Sequence, residues 1–270
     1  KKVVVSDGVT TYEEGVDYEV LSVSPTEAIN ARTKTDNNAY TITVRALDTG
    51  AFKGGSGTAK YGVQRLDISG NRVTSEMPDT YPSSKGGYEY KAGEYKPNPI
   101  VQYTNGNNQL IKMEGQEIGG RDYTLTYADN RNVGTATITI HGQGNFEGTR
   151  EQTFIIKRRG IGTATANLTV TKYKYTGKEI VPILRLEMDK LEGAVGEKVT
   201  LTKGQDYEIR FDPDGINAGK VKLLITGINN YEGEVSPEPE VEITPFSLTD
   251  SYITLEHINT EVEYTGKALE

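Results

Sequence analysis

Apolar residues occupy every second position in three segments that recur along the chain. In the middle segment Ala136, Ile138 and Ile140 alternate with three threonines. The same alternation returns 85 positions later and 94 positions earlier, at Val221, Leu223 and Ile225 and at Ile42, Val44 and Ala46. Successive side chains of a strand point to opposite faces, so this pattern predicts a half-buried β-strand in each copy.

Further strands are predicted on either side of this one. A preceding strand begins at Tyr123 in the second copy and at Tyr207 in the third, with apolar or aromatic residues at alternate positions. A closing strand is predicted from the apolar pairs Leu66/Ile68, Phe154/Ile156 and Val241/Ile243. Because no segment shows a helical apolar stripe longer than two turns, each copy is predicted to consist of antiparallel strands.

Three short signatures recur in a fixed order and define a repeat. A Tyr-Thr-Gly-Lys-like segment begins at Tyr90, Tyr175 and Tyr264. Gly-x-Asp-Tyr follows at 15–18, 120–123 and 204–207, and an Asn-to-Gly segment ending in an aromatic turn follows at 38–54, 132–148 and 217–233. The first copy carries an insertion of about eleven residues around Ser24 to Asn37, a loop position where insertions are well tolerated.

The spacing of the signatures divides the chain into four parts. Residues 1–69 are predicted to form a first repeat that lacks its first strand and carries the insertion. Residues 70–158 form a second repeat and residues 159–244 a third. Residues 245–270 are predicted to hold the opening strand of a truncated fourth repeat.

Together the signatures resemble those of the Ig-like tandem repeats found in cell-surface proteins of Gram-positive bacteria, such as clostridia and lactobacilli. The third copy matches that pattern well, whereas the first departs from it, with Tyr40 where the pattern has Gly. The resemblance implies an all-β fold of Ig-like antiparallel β-sandwich repeats arranged end to end. It also implies an extracellular location, at the cell wall or cell surface. The alternative fold is a β-grasp-like module, which would require a helix.

Composition narrows the chemistry of this chain. Its 270 residues include no Cys, which excludes disulfides, thiol catalysis and Cys-ligated zinc. The chain has only two His, which leaves few side chains for acid–base catalysis or metal binding. The net charge of -8 argues against nucleic acid as a partner. Apolar runs are at most three residues long, against the 20 or so that a membrane-spanning helix needs. We therefore predict no catalytic residue, no cofactor, no metal site and no membrane insertion.

Two groups of residues are candidate binding sites. Tyr81, Tyr88, Tyr90 and Tyr95 form a dense cluster that is a possible ligand platform, because aromatic rings stack on sugars. The loops at 129–132 and 212–215 contain oxygen ligands of the kind that calcium prefers, but neither has a distal Glu. Asp and Asn also favour turns through local hydrogen bonds, and we interpret both loops as turns.

The predicted function is a non-catalytic extracellular spacer or adhesin repeat segment of a bacterial cell-surface protein. Its expected partners are other domains of the same chain, and an extracellular glycan or a host protein. The alternative is a carbohydrate-binding accessory module of a secreted polysaccharide-degrading enzyme. The tyrosine cluster is the feature that keeps this alternative open.

Overall fold

The chain is all-β in the computed structural model, which describes residues 3–24, 26 and 30–247. Within these residues there is no α-helix, and a single 3-10 turn lies at Ser83–Lys85. The β-grasp alternative therefore gains no support from them. The predicted opening strand of a fourth repeat lies beyond residue 247, outside the described residues, as does part of the insertion in the first copy.

The chain divides into two compact units, Lys1–Lys157 and Arg158–Glu270. This division falls next to the predicted end of the second repeat at residue 158. The finer division of the first unit into two repeats, at residue 69, stays a prediction.

The strands of the first unit are described in two parts along the chain. The first part has β1 (Val5–Ser6), β2 (Thr11–Tyr12), β3 (Tyr18–Ser24), β4 (Tyr40–Ala46) and β5 (Ser56–Tyr61). The second part has β6 (Leu66–Asp67), β7 (Val73–Glu76), β8 (Tyr88–Glu89), β9 (Ile100–Thr104), β10 (Leu110–Lys112), β11 (Gly115–Gln116), β12 (Tyr123–Ala128), β13 (Gly134–Gly142), β14 (Phe146–Glu147) and β15 (Thr149–Lys157).

The strands of the second unit follow nearly the same order as those of residues 66–157. They are β16 (Arg159–Gly160), β17 (Thr165–Leu168), β18 (Lys172–Lys174), β19 (Leu184–Asp189), β20 (Lys198–Leu201), β21 (Tyr207–Asp212), β22 (Gly219–Gly227), β23 (Tyr231–Glu232) and β24 (Glu240–Thr244).

Two larger sheets and one two-stranded sheet, β6-β14 or β16-β23, make up each of the second and third copies. In the second copy β10-β9-β7 form one sheet and β11-β12-β13-β15-β8 the other. In the third copy the corresponding sheets are β17-β19-β20 and β18-β24-β22-β21. The shared alternation of apolar residues explains why the corresponding strands bury the same positions, because each sheet can bury only one face against its partner.

The core of the second copy draws on both of its sheets. Val101 from β9 packs in one cluster with Ile138 and Ile140 from β13, and all three are fully buried. The alternation predicted for β13 and for its counterpart β22 is confirmed, since their inward residues are at most 1% exposed. In the first copy the inward residues of β4 are only half-buried, and Tyr40 is the buried side chain of that strand.

The expectation of antiparallel strands alone is wrong. Five pairs of described strands run parallel: β6–β14, β8–β15, β11–β12, β16–β23 and β18–β24. Four of these pairs join a strand near the start of a copy to one near its end. The intervening chain is long, and parallel pairing needs such a connection rather than a hairpin. Apolar alternation carries no information on strand direction, so the sequence pattern could not show this.

The assignment of Leu66 and Ile68 to the closing strand of the first copy is also wrong. The strand that closes the first copy is β5, which pairs with β4. Leu66 instead pairs with Phe146, and Ile68 is fully buried in the core of the second copy. β5 is exposed along most of its length, so it has little apolar signal, whereas Leu66 and Ile68 have a strong one.

Candidate functional site

The Asp of the Gly-x-Asp-Tyr signature has the same role in all three copies. Its carboxylate accepts a hydrogen bond from a backbone N–H earlier in the chain. The acceptor and donor residues are Asp17 and Glu13, Asp122 and Glu114, and Asp206 and Thr202, with distances of 2.9, 2.8 and 2.8 Å. This signature therefore closes the loop that leads into the following strand.

The same aspartates also hold the start of the aromatic turn through their backbone carbonyls. These carbonyls accept the N–H groups of Leu47, Gln143 and Ile228, at 2.9, 3.0 and 2.9 Å. Two of the recurring signatures are therefore joined to each other in every copy. Because the carboxylates and carbonyls of these aspartates are hydrogen-bonded to backbone N–H groups, we interpret the signature as structural and not as a ligand site.

Asp122 is the most buried of the three aspartates that this motif supplies, at 6% exposure. Burial alone would raise the pKa of its carboxyl group. Hydrogen bonds from the Arg121 guanidinium, one of them 2.8 Å long, and from the Glu114 N–H outweigh burial and lower the pKa. The ionised form is thus the one that the folded protein stabilises.

The lowered pKa of Asp122 predicts a loss of stability in acid. An aspartate whose folded pKa lies below its unfolded value of about 3.9 stabilises the fold above that pH. This stabilisation disappears as the pH falls through the folded pKa. We expect Asp122→Asn to lower the free energy of unfolding of the first unit at pH 7, and this deficit to shrink as the pH falls below about 4.

Urea unfolding of both proteins at a series of pH values measures that difference. Asp79→Asn is the matched control, because Asp79 is exposed and makes no ion pair or hydrogen bond with another described residue. A deficit for Asp122→Asn that stays constant down to pH 2 would contradict the assignment.

The aromatic turns of the second and third copies are structural, as the sequence predicted. Phe146 and Tyr231 are 5% and 2% exposed. Gly148 and Gly233, which end the turns, have φ values of 80° and 79°, a conformation that glycine adopts without strain. The aromatic rings of these two turns are therefore part of the core, whereas Phe52, in the turn of the first copy, is half-buried against Tyr12.

The tyrosine cluster is packed together at one edge of the second copy. The rings of Tyr88 and Tyr95 are stacked with centroids 4.3 Å apart, and Tyr81 meets Tyr88 edge to face at 5.1 Å. Tyr88 also contacts the core ring of Phe154, and its burial raises its pKa. Tyr90 is half-buried against the same core.

Much of the ring surface of this cluster is used in contacts within the protein. The hydroxyl of Tyr95 donates to the Glu89 carbonyl at 2.6 Å, and the hydroxyl of Tyr81 accepts the N–H of Ile155 at 3.1 Å. The ammonium group of Lys91 lies 4.1 Å from the ring centre of Tyr95. A ligand platform on these tyrosines stays a prediction. Their rings are half-buried, so part of the surface of each ring faces the solvent.

The oxygen-rich loop at 212–215 is held by its own hydrogen bonds. The carboxylate of Asp214 accepts the N–H groups of Ile216 and Asn217 at 2.8 and 2.7 Å, and the side-chain amide of Asn217 at 3.0 Å. These contacts lower the pKa of Asp214, with the bond from the Asn217 N–H contributing most. Within the described residues no group of three or more His, Asp or Glu side chains is placed to hold a metal ion.

A cleft that sequence reasoning missed lies where the insertion of the first copy meets the second copy. The Ala31 N–H donates to the Asn145 side-chain oxygen at 2.7 Å, and the Asn145 amide donates to the Asn30 side-chain oxygen at 3.1 Å. Arg32 and Val63 exchange two backbone hydrogen bonds of 2.9 Å. These contacts fasten the insertion beside β9 and the aromatic turn, leaving a cleft of about 990 Å³.

The only sequence signal for this cleft was the insertion itself, which the other copies lack. Its walls come from segments more than 110 positions apart, such as Asn30 and Asn145. Spacing within a copy cannot reveal such a meeting.

Comparison with known proteins gives no information on the family or the function of this chain. No family model, curated protein or solved structure matches this chain. Within the described part of the chain no helix has the length and apolar character needed to cross a membrane.

Proposed function

We propose that this chain is a non-catalytic segment of tandem Ig-like repeats that acts as an extracellular spacer or adhesin segment in a bacterial cell-surface protein. The repeats would be arranged end to end, at the cell wall or cell surface. Their partners would be other domains of the same chain, and a glycan or a host protein.

The observation that carries this proposal is the parallel pairing between the start and the end of each complete copy. In the second copy β6 and β8 pair with β14 and β15, and in the third copy β16 and β18 pair with β23 and β24. A segment that connects a cell surface to a distant domain is pulled at its two ends, so these pairs are the first to bear the load.

Parallel pairing makes a copy resist unfolding under such a pulling force. The beginning of β18 and the end of β24 lie at opposite ends of their pair, so tension acts along the strands. All hydrogen bonds of the pair are then strained together, whereas a hairpin pulled open loses its bonds one at a time. The recurring signature residues hold the loops around these strands, which supports a mechanical role.

Force spectroscopy of the full chain tests the spacer role. The Tyr175 N–H donates to the Thr244 carbonyl at 2.9 Å and extends the β18–β24 pair. Tyr175→Pro removes that donor, so we expect the unfolding force of the third copy to fall. Each complete copy should add roughly 300 Å of length, since an extended chain spans at most about 3.6 Å per residue.

Tyr175→Ala is the matched control, because it removes the same ring and keeps the N–H. The proline variant should unfold at a clearly lower force than the alanine variant, since forced unfolding follows the unfolding rate. Equal forces for both variants would contradict the claim that the β18–β24 pair resists the applied force. Labelling of intact source cells with antibodies against the chain tests the surface location, and labelling only after permeabilisation would oppose it.

The alternative function is a carbohydrate-binding accessory module of a secreted polysaccharide-degrading enzyme. The half-buried cluster of Tyr81, Tyr88, Tyr90 and Tyr95 is the observation that supports it. Binding to neutral polysaccharides that is lost in Tyr81→Ala would favour this alternative over the spacer.

A further inference from the structure

The closing strand of each complete copy has a second neighbour at its end. In the second copy β15 lies between β13 and β8, and in the third copy β24 lies between β22 and β18. β5 closes the first copy, but among the described residues it has β4 as its only neighbour. Tyr61 of β5 holds the place of Ile156 and Ile243, because all three face equivalent positions of the strand before. Those positions, Tyr40, Gly134 and Gly219, follow the repeat spacings of 94 and 85 residues.

The outer edge of β5 carries two backbone groups that could pair with a further strand. The Ala46 N–H donates to the Gly55 carbonyl at 3.0 Å, and hydrogen-bonded pairs alternate along an antiparallel ladder. Tyr61 therefore bonds to β4, while the Lys60 N–H and the Gly62 carbonyl point away from β4. Neither group has a hydrogen-bond partner among the described residues. Such an edge is a template for pairing with another chain.

The equivalent two groups of the third copy are both bonded to the opening strand. The Glu242 N–H donates to the Thr171 carbonyl at 2.9 Å, and the Tyr175 N–H donates to the Thr244 carbonyl at 2.9 Å. The partner that β5 does not have thus corresponds to residues 171–175, running parallel to the closing strand.

One further segment of the sequence has the pattern of this partner. In residues 260–264, Thr260 and Tyr264 stand where Thr171 and Tyr175 stand, and both tyrosines begin Tyr-Thr-Gly-Lys. This segment lies outside the described residues, so its fit to β5 is argued from the register of the third copy.

The charges of this segment are complementary to those of β5. In the third copy Lys172 of β18 faces Glu242 of β24, with an ion pair of 3.0 Å. The same register places Glu261 opposite Lys60, which again opposes a carboxylate to an ammonium group. Lys60 is exposed and forms no ion pair with a described residue. Opposite charges on facing strands favour pairing, whereas like charges oppose it.

The next pair along the strands also keeps its chemistry. Tyr173 faces Ile243 in the third copy, and the same register places Val262 opposite Tyr61. An aromatic and a β-branched residue thus face each other in both cases, a combination that stabilises paired strands. Charge and shape together select residues 260–264 over an arbitrary strand.

We propose that residues 260–264 of a second molecule of this chain add to β5 as a parallel strand. The Tyr264 N–H bonds to the Gly62 carbonyl, and Glu261 faces Lys60. A contact of this kind uses different surfaces on the two molecules, so it can continue from one molecule to the next.

The choice of a second molecule as the donor rests on the end-to-end arrangement proposed above. Residues 248–259 join the third copy to the donor segment, and twelve residues span at most about 43 Å. In an end-to-end array the segment would have to run back past two copies. Each copy is at least as long as its nine-residue strand, β13 or β22, which is about 30 Å.

Sedimentation equilibrium of the full chain over a concentration series tests the proposal. We expect an average mass above that of the monomer, which rises with concentration. Tyr264→Pro removes the N–H donor, and Tyr264→Ala is the matched control that removes the same ring and keeps the N–H. The proline variant should associate at least about tenfold more weakly than the alanine variant, because proline cannot donate a ladder hydrogen bond.

A charge exchange identifies the two facing side chains. Lys60→Glu and Glu261→Lys each oppose like charges, so each variant alone should associate about fivefold more weakly than the wild type. An equimolar mixture of the two variants should recover the association, because each supplies the charge that the other needs. Lys53→Glu is the control, since it makes the same charge change at another exposed position of the first copy, and it should leave the association unchanged.

Three results would each overturn the proposal. They are a monomer at every concentration, equal association of the proline and alanine variants, and a mixture that associates no better than its components. Small-angle scattering of the Tyr264→Pro variant tests the end-to-end arrangement separately, and the force measurements on Tyr175 test the spacer role independently of this contact.

Discussion

Replacing Tyr231 by alanine is expected to lower the free energy of unfolding of the third copy by about 3–5 kcal/mol, the usual range for removing a buried aromatic side chain. Tyr231 is 2% exposed and lies in β23, which pairs with β16 where the chain enters this copy. Its loss opens a cavity in the core and weakens that pairing. Both effects act in the same direction.

Tyr231→Phe is the control, because the second copy already has Phe146 at the corresponding position. It should retain most of the stability. Hydrogen exchange of the β22 amides reports the third copy separately, since exchange from a central strand requires large-scale opening. Unchanged protection in Tyr231→Ala would mean that the aromatic turn is not part of the core.

The second large effect is expected for Gly120→Ala, which should destabilise the first unit by about 3 kcal/mol, at the upper end of ordinary overpacking. A Cβ atom at Gly120 would lie 2.0 Å from the Tyr123 carbonyl oxygen and 2.7 Å from the Gln116 nitrogen. Both contacts are backbone atoms of the β11–β12 pair. They cannot move aside without breaking the sheet.

Variants of two other glycines, Gly204 and Gly106, distinguish the steric clash at Gly120 from the cost of an unfavourable backbone conformation. Gly204 holds the same place in the signature of the third copy, but there φ is 80° and nothing lies within 4 Å of a Cβ. Gly204→Ala should therefore cost only about 1–2 kcal/mol, for the left-handed backbone. Gly106→Ala meets neither obstacle and should be neutral or stabilise by up to about 1 kcal/mol. Urea unfolding of the three variants measures the order, and equal losses at Gly120 and Gly106 would contradict it.

Much of the local structure could be predicted because a half-buried strand has apolar residues at every second position of the sequence. Ala136, Ile138 and Ile140 alternate with threonines, and they are the residues that β13 buries. The same holds for Val221 in β22 and for the aromatic turn at Phe146. Each of these features depends on residues close together in the chain.

Pairing between distant strands could not be predicted in this way. Leu66 and Ile68 have the pattern of a strand, but the pattern does not say which core they enter. Ser56–Tyr61 closes the first copy with almost no apolar pattern, because that strand is largely exposed. Strand direction likewise depends on which segments meet, as the parallel pairs between the start and the end of a copy show.

The same division applies to the candidate sites. The crowding of Tyr81, Tyr88, Tyr90 and Tyr95 was visible in the sequence, since all four lie within 15 positions. The repeat, its β strands and its structural turns likewise follow from local patterns, because a strand must bury one face. The cleft exists only once the insertion reaches Asn145, more than 110 positions away. Only the tertiary structure brings such distant segments together, because a local pattern records which residues are buried and not which segments meet.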